Sequence, residues 1–294
     1  MQNNVIIGTW PLSGDFGPVG RVQVSETLAR ALSSGLTSFD TAPNYGSGSM
    51  EATLGELLPR SAAPTIHTKV GSQPSGGKSF AIKDMEDSIK QSLTRLGTTR
   101  LGYVFLHNPR NEIADYSLVH EMFDRMVDNG LISGRGLSCA RNIAYEDVTD
   151  LSEFDAIQDD HNLLRSSPYA GGSGYRFLAR SPLASGLLGG HITTETEFDE
   201  SDHRSGWLTG DRLSALCAQV EAIRQVNPEV PLASLARRAV IDDPRVSAII
   251  TGVRRPEHID QLLADGEYSL SLSTIERLRS SAQEALTGME DLSY

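Results

Sequence analysis

Phe39-Asp40-Thr41-Ala42-Pro43-Asn44-Tyr45-Gly46-Ser47-Gly48, with Glu51 and Leu54-Gly55 behind it, is the stretch on which the fold turns. An apolar strand candidate ends on a carboxylate, and a tyrosine follows in a glycine-rich turn. Further along, Thr68-Lys69-Val70-Gly71 closes an apolar segment on a lysine, and Val104-Phe105-Leu106-His107-Asn108-Pro109 closes another on a histidine. Three successive strand candidates thus carry polar side chains where strand meets loop. In a barrel of parallel strands those ends converge on one face, where active sites are built.

The rest of the chain fits that frame. Short apolar runs alternate with longer segments of helical period, the pattern of a parallel α/β fold. Strands are expected at residues 5–10, 36–42, 65–71, 101–107, 132–139, 155–162, 175–183 and 246–253. Ile82, Met85, Ile89, Leu93 and Leu96 recur at steps of three and four, as do Leu213, Leu216, Val220 and Ile223, so both sets predict amphipathic helices. Gly35 and Gly130, each just before a strand, mark helix ends. Ser273 with Glu276 reads as the capping box of a final helix.

Eight strands joined by crossovers predict one closed (β/α)8 TIM barrel domain over residues 1–294, with an open doubly wound sheet as the rival. Gly46-Ser47-Gly48 lacks the third glycine of the open sheet's dinucleotide fingerprint. Helices are expected to be reduced around strands five to seven. Residues 144–154 make a short crossover there, and residues 165–174 hold Pro168, Gly171, Gly172 and Gly174, which are poor helix formers.

The formal net charge of -12 argues against nucleic acid as a partner, since phosphates need a basic face. Cys139 and Cys217 stand far apart without a histidine at ligand spacing, so neither a disulfide scaffold nor a metal site is expected. No apolar run approaches the ~20 residues of a bilayer span. Met1-Gln2-Asn3-Asn4-Val5 has no signal-peptide character, which makes the cytoplasm the expected location. Oligomeric state leaves no mark in the sequence.

Each polar residue alone has an ordinary explanation. A strand-end aspartate caps a helix, a loop tyrosine packs, a strand-end lysine is solvated and a histidine is structural. Together they make chemical sense. Hydride delivery to a carbonyl develops alkoxide charge and needs a proton donor and an electrophile. Tyrosine is a weak acid, with an unperturbed pKa of about 10, and a nearby ammonium lowers that value. Lys69 would supply the charge, Asp40 would orient Lys69 and keep it protonated, and His107 would position the substrate carbonyl.

The pattern Asp-Thr-Ala-x-x-Tyr-Gly-x-Gly-x-x-Glu-x-x-Leu-Gly, running from Asp40 to Gly55, resembles the aldo-keto reductase family, and the likeness extends nearly end to end. It implies that Asp40, Tyr45, Lys69 and His107 are the catalytic tetrad, with Tyr45 as proton donor. It also implies that Trp10, within Gly8-Thr9-Trp10, lines the substrate pocket; Phe16 is a further aromatic candidate there. Ser138, in Gly136-Leu137-Ser138, and Gln158 resemble the residues that hold the nicotinamide carboxamide.

Arg180 stands where many members stack a tyrosine on the nicotinamide, and Cys139 where asparagine is common. Ser181, Leu183, Ser185 and Gly186 match the loop over the pyrophosphate, and Asp202-His203-Arg204-Ser205 a later part of it. Gly252, Arg254, Arg255, His258 and Gln261 resemble the adenosine-phosphate site, with Leu262 replacing a common asparagine. An arginine there grips a 2'-phosphate, which favours NADPH (NADP+) over NADH. The family's N-terminal hairpin plug is expected to be missing before Val5.

The implied function is NADPH-dependent reduction of an aldehyde or ketone, with a polar, sugar-like small molecule as substrate. The alternatives are an NAD(P)+-dependent sugar or alcohol dehydrogenase running the same site backwards, and a cofactor-binding redox-sensing regulatory protein.

Overall fold

Strand β1 (Val5–Gly8) pairs in parallel with β2 (Ser38–Asp40) on one side and β8 (Ala248–Gly252) on the other. Between them β3 (Thr65–Val70), β4 (Leu101–His107), β5 (Ile132–Ser138), β6 (Ala156–Asp160) and β7 (Arg176–Arg180) follow in sequence order and close the barrel. The computed structural model describes residues 4–141 and 143–294. Residues 1–3, on which the signal-peptide and missing-hairpin expectations bear, lie outside the described residues.

All eight strands fall within the expected segments, and the open sheet is excluded by the pairing of β8 with β1. Alternate side chains of a strand face opposite ways, and here the two faces do different work. Ile7, Phe39, Val104, Leu106 and Ile157 belong to the large core cluster that also takes in helical residues. Ile6, Phe105, Ala156, Leu178, Ala248 and Ile250 form a separate cluster. Phe105, Ala156 and Leu178 stand two residues before His107, Gln158 and Arg180, so the site candidates share the face of the inner cluster.

Helices α1 (Arg21–Ser33), α2 (Met50–Leu57), α3 (Ile82–Leu96) and α4 (Tyr116–Asp128) follow the first four strands. Then come α5 (Gly210–Val226), α6 (Leu232–Ile241), α7 (Pro256–Ala264) and α8 (Leu272–Ala285). The two periodic sets lie on α3 and α5, and Leu213, Leu216, Val220 and Ile223 are buried. Gly35 and Gly130 follow α1 and α4 with φ of 76° and 72°. Among the described residues no α-helix lies between β5 and β7, only short 3-10 turns at Tyr145–Asp147 and Leu151–Glu153. The reduced helices fall where the short crossover at 144–154 and the proline and glycines of 165–174 predict them. No helix of the described residues is long and apolar enough to cross a membrane.

One local expectation is corrected. The cap of α8 is Ser271, whose Oγ accepts from the Thr274 amide at 3.2 Å, not Ser273. The helix starts two residues earlier than the Ser273–Glu276 spacing suggests. Ser273 therefore lies inside the first turn, with its hydroxyl 2.9 Å from Ser271 Oγ.

The residues behind Tyr45 in the decisive stretch serve packing. Glu51 on α2 is fully buried and accepts from Thr68 Oγ1 at 2.6 Å, from Ser92 Oγ at 3.2 Å and from Arg95 Nε at 2.8 Å. It pins α2 to β3 and α3. Gly55 lets the same helices meet, because a Cβ there would lie 2.2 Å from the Arg95 carbonyl oxygen. Backbone cannot yield as a side-chain tip does. Gly55→Ala is expected to destabilise the fold by roughly 1–3 kcal/mol, the range for overpacking, read as a lower midpoint in guanidinium unfolding. An unchanged midpoint would contradict the close approach.

Candidate active site

Strand register assembles the site. Asp40 lies opposite His67, so Lys69 emerges one pleat beyond it on the same face of β3. Lys69 is opposite Phe105, His107 opposite Ser138, and Ser138 opposite Gln158. Asp160 is opposite Arg180. Tyr45 comes from the 3-10 turn Tyr45–Gly48, where Gly46 has φ 57° and Ser47 φ 52°. A Cβ on Gly46 would lie 2.8 Å from both the Ser13 carbonyl and Ser49 Oγ. Only glycine fits that left-handed, crowded position, and it turns the chain directly after Tyr45.

The four sequence candidates meet. Lys69 Nζ donates to Asp40 Oδ1 at 2.6 Å, to the Thr41 carbonyl at 2.8 Å and to Tyr45 Oη at 3.2 Å. An ammonium has three protons, and each has an acceptor. Lys69 is only 2 % exposed and Asp40 4 %. The His107 ring stands edge-on to Tyr45, with centroids 6.3 Å apart.

The charges follow from burial and neighbours. Burial opposes the Lys69 charge, but Asp40 and Tyr45 outweigh it and hold its pKa above the ordinary value. For Tyr45, burial is the largest cause and raises the phenol, against the lowering by Lys69. Lys69 therefore acts in the expected direction without winning, and the phenol stays protonated. Burial, then Lys69 and Arg180, push His107 well below the usual histidine range, so its imidazole is neutral.

Several buried polar atoms here have no hydrogen-bond partner among the described residues: His107 Nδ1, Gln158 Oε1, Asn44 Oδ1 and Thr41 Oγ1. Buried polar groups are nearly always paired, so a cluster of orphans in a cleft points to a ligand. Gln158 donates Nε2 to Asp40 Oδ2 at 2.8 Å, leaving Oε1 free to accept from an amide such as a nicotinamide carboxamide. Ser138 Oγ donates to Asn108 Oδ1 at 3.3 Å and accepts from Arg180 Nη1 at 3.0 Å. The donor set suits a carboxamide at Gln158 directly, and at Ser138 after Arg180 gives way.

Trp10 stacks on Tyr45 with centroids 5.7 Å apart, and Phe16 meets Trp10 edge-on at 4.9 Å. Sequence reasoning passed over two supports of this wall. Asp15 accepts from Trp10 Nε1 at 2.7 Å and from the Gly46 amide at 3.3 Å. His203 packs 4.3 Å from the Phe16 ring and 4.6 Å from Trp10. Neither has a motif of its own. His203 lies in the 202–205 stretch already singled out, but its contact with residues nearly two hundred positions away is tertiary.

These residues open onto one cleft of about 1460 Å3. It exceeds the ~300–1,000 Å3 of an ordinary small-molecule pocket. Ten lysine and arginine side chains line it against three aspartates, in a chain whose acidic residues outnumber basic ones 38 to 26. Seven of those ten already have a carboxylate within 4.0 Å, among them Arg180 with Asp160, Arg204 with Asp202 and Arg237 with Asp265. Ser181, Leu183, Ser185 and Gly186 line it, as do Gly252, Arg254, Arg255, His258 and Gln261.

Several of these residues have partners that the sequence did not announce. Arg180 donates Nε to Asp160 Oδ1 at 3.0 Å and Nη2 to the Cys139 carbonyl at 2.8 Å. Asp160 also accepts from Arg141 and from Ser181 Oγ. Ser185 Oγ lies 3.1 Å from Tyr294 Oη. Arg254 donates to the carbonyls of Phe16, Gly17 and Pro18, so it fastens the loop after β1. Arg255 is the more exposed cation, its side chain 61 % exposed, with Nε donating to His258 Nε2 at 3.1 Å and Glu257 Oε2 3.9 Å away.

Residues 4–283 match the model of the aldo/keto reductase family. An aldo-keto reductase of Bacillus subtilis is 24 % identical over 275 residues, covering 87 % of this chain and 82 % of that one. A pyridoxal 4-dehydrogenase of Microbacterium luteolum is 25 % identical over 313 residues, covering 90 % and 89 %. The solved structure of a glycerol dehydrogenase from Gluconobacter oxydans shares the fold, with a TM-score of 0.76 at 22 % identity over 96 % of this chain and 91 % of that one.

All seven histidines sit below their ordinary value of 6.5, with burial the first cause in each, and His67 and His258 are at about 4. The unfolded chain then binds more protons than the folded one as pH falls below 6.5. Stability is complete above that value and lost on acidification toward the folded pKa values. The urea midpoint is expected to drop between pH 7 and pH 5, with proton uptake on unfolding. A flat midpoint across that window would contradict the buried neutral histidines.

Proposed function

The chain belongs to the aldo/keto reductase family, and on that premise we propose that it is an NADPH-dependent carbonyl reductase whose proton donor is Tyr45. The observation that carries this reading is the buried Lys69 ammonium, shared between Asp40 and the Tyr45 hydroxyl at 2.6 and 3.2 Å. A phenol held protonated by burial is an acid in waiting. A cation touching it stabilises the phenolate left when the proton departs.

Bound NADPH supplies the hydride. Gln158 Oε1 would accept from the carboxamide, the Ser185 hydroxyl and the residue 181–186 loop would lie along the phosphates, and Arg255 would hold the 2'-phosphate, with Arg254 bracing the loop beside it. His107, neutral, donates to the substrate carbonyl oxygen and sets its angle. As negative charge grows on that oxygen, Tyr45 Oη transfers its proton there, and Lys69 takes up the charge on the phenolate. Trp10 and Phe16 hold the substrate against Tyr45 and exclude water. Asn44, Asn108 and Lys78, which also line the cleft, suit a polar substrate such as a sugar-like aldehyde or ketone.

The reverse reaction uses the same atoms, with the phenolate accepting a proton from an alcohol. Reductase and dehydrogenase both occur among the names of similar proteins.

The test is NADPH oxidation followed with a panel of aldehydes and ketones. Tyr45→Phe is expected to lower kcat by about 10²–10⁴, the worth of a positioned general acid, while leaving the NADPH Kd unchanged. Full activity in Tyr45→Phe overturns the assignment. Arg255→Ala is expected to weaken NADPH about tenfold, the scale of one charged hydrogen bond, and to leave NADH binding as it was. Equal loss for both dinucleotides would refute the 2'-phosphate contact.

A further inference from the structure

Gln158 does something that a carboxamide ligand need not do. A carboxylate only accepts hydrogen bonds, so the amide atom 2.8 Å from Asp40 Oδ2 must be Nε2. Oε1 is then the buried atom without a partner. The residue is 1 % exposed, and water does not substitute freely at either end. One planar group therefore joins the candidate cofactor position to the Asp40–Lys69–Tyr45 chain.

We propose that Gln158 is a positioning residue that couples cofactor occupancy to the strength of the Tyr45 acid. This rests on the cofactor reading above. Asp40 and Lys69 act on Tyr45 in opposite senses, the carboxylate raising its pKa and the ammonium lowering it. An amide that accepts at its oxygen becomes a better donor at its nitrogen, because linked hydrogen bonds polarise one another. A carboxamide N–H on Oε1 strengthens the Nε2–H bond to Asp40 and draws carboxylate charge away from the phenol. Tyr45 becomes the stronger acid when the cofactor is in place and stays a weak one when the cleft is empty.

The other groups facing Tyr45 do not provide this link. Arg180 from β7 lowers its pKa through space, and neutral His107 approaches from β4. Trp10, after β1, is apolar against the ring, and its indole N–H is taken by Asp15. Ser138, the neighbouring carboxamide candidate, bonds Asn108 and Arg180 and has no bond to Asp40. It is the control for coupling to Asp40 in the Kd measurements.

The test is a double-mutant cycle on the NADPH Kd, titrated by protein fluorescence in wild type, Asp40→Asn, Gln158→Met and the double variant. The expected coupling is about twofold or more, as for residues in direct contact, while Asp40→Asn with Ser138→Ala is additive. In carbonyl reduction, the alkaline limb of the kcat profile moves to higher pH in Gln158→Met, because the undamped Asp40 charge raises Tyr45. If Gln158→Met does not fold, Gln158→Asn, too short to span both partners, carries the same two expectations. Additive Kd values with an unmoved limb, in a protein that binds NADPH, overturn the coupling alone. A wild-type protein that binds no NADPH overturns it together with the cofactor reading.

Discussion

A lysine ammonium almost out of reach of water is the constraint around which the site is organised. Lys69 remains charged there because Asp40, the Thr41 carbonyl and Tyr45 take its three protons. Removing one partner of such a buried pair costs about 3–5 kcal/mol, because the other charge is left unmatched. The geometry is therefore held tightly. Tyr45 lies within the field of that charge only because the chain turns sharply at Gly46 after β2. The barrel supplies the rest, since its parallel strands deliver Asp40, Lys69, His107 and Gln158 to one end without any of them being close in sequence.

Electrostatics divide the cleft into two regions. Near Tyr45 the balance is nearly even, and burial leaves the phenol and the imidazole uncharged. Further out the arginines dominate, in a molecule that is acidic overall. Arg180 sits at the border. Its charge is matched by Asp160 and its nitrogens are spread over Ser138, Asn108 and the Cys139 carbonyl. It presents a hydrogen-bonding plane at the end of β7.

Much of this was legible in the chain itself, for identifiable reasons. Strands β1, β4 and β8 announced themselves because each is a short, largely apolar run bounded by polar or glycine-rich segments. Asp40, Lys69 and His107 stood out because each ends such a run, and Tyr45 because it follows the first of them in a glycine-rich turn. The cap of α8 was misplaced because several serines crowd the start of that helix and only coordinates choose among them. Arg254 read as a phosphate ligand from its place after β8, yet three carbonyls more than two hundred residues away claim it. The lowering of Tyr45 by Lys69 was foreseen, but desolvation was not, since burial of a loop tyrosine has no local signature. Tyr294 against Ser185 belongs to the same class of contacts, which exist only once the chain has closed on itself.

The most direct measurement is the crystal structure of the complex with NADP+ and an unreactive carbonyl or carboxylic-acid analogue of a substrate. The nicotinamide is predicted to lie in the cleft with its carboxamide on Gln158. The analogue's oxygen should sit within hydrogen-bond reach, about 3 Å, of both Tyr45 Oη and His107. A dinucleotide bound elsewhere, or an analogue oxygen that touches neither side chain, would contradict the assignment of Tyr45 as the acid of a carbonyl reductase.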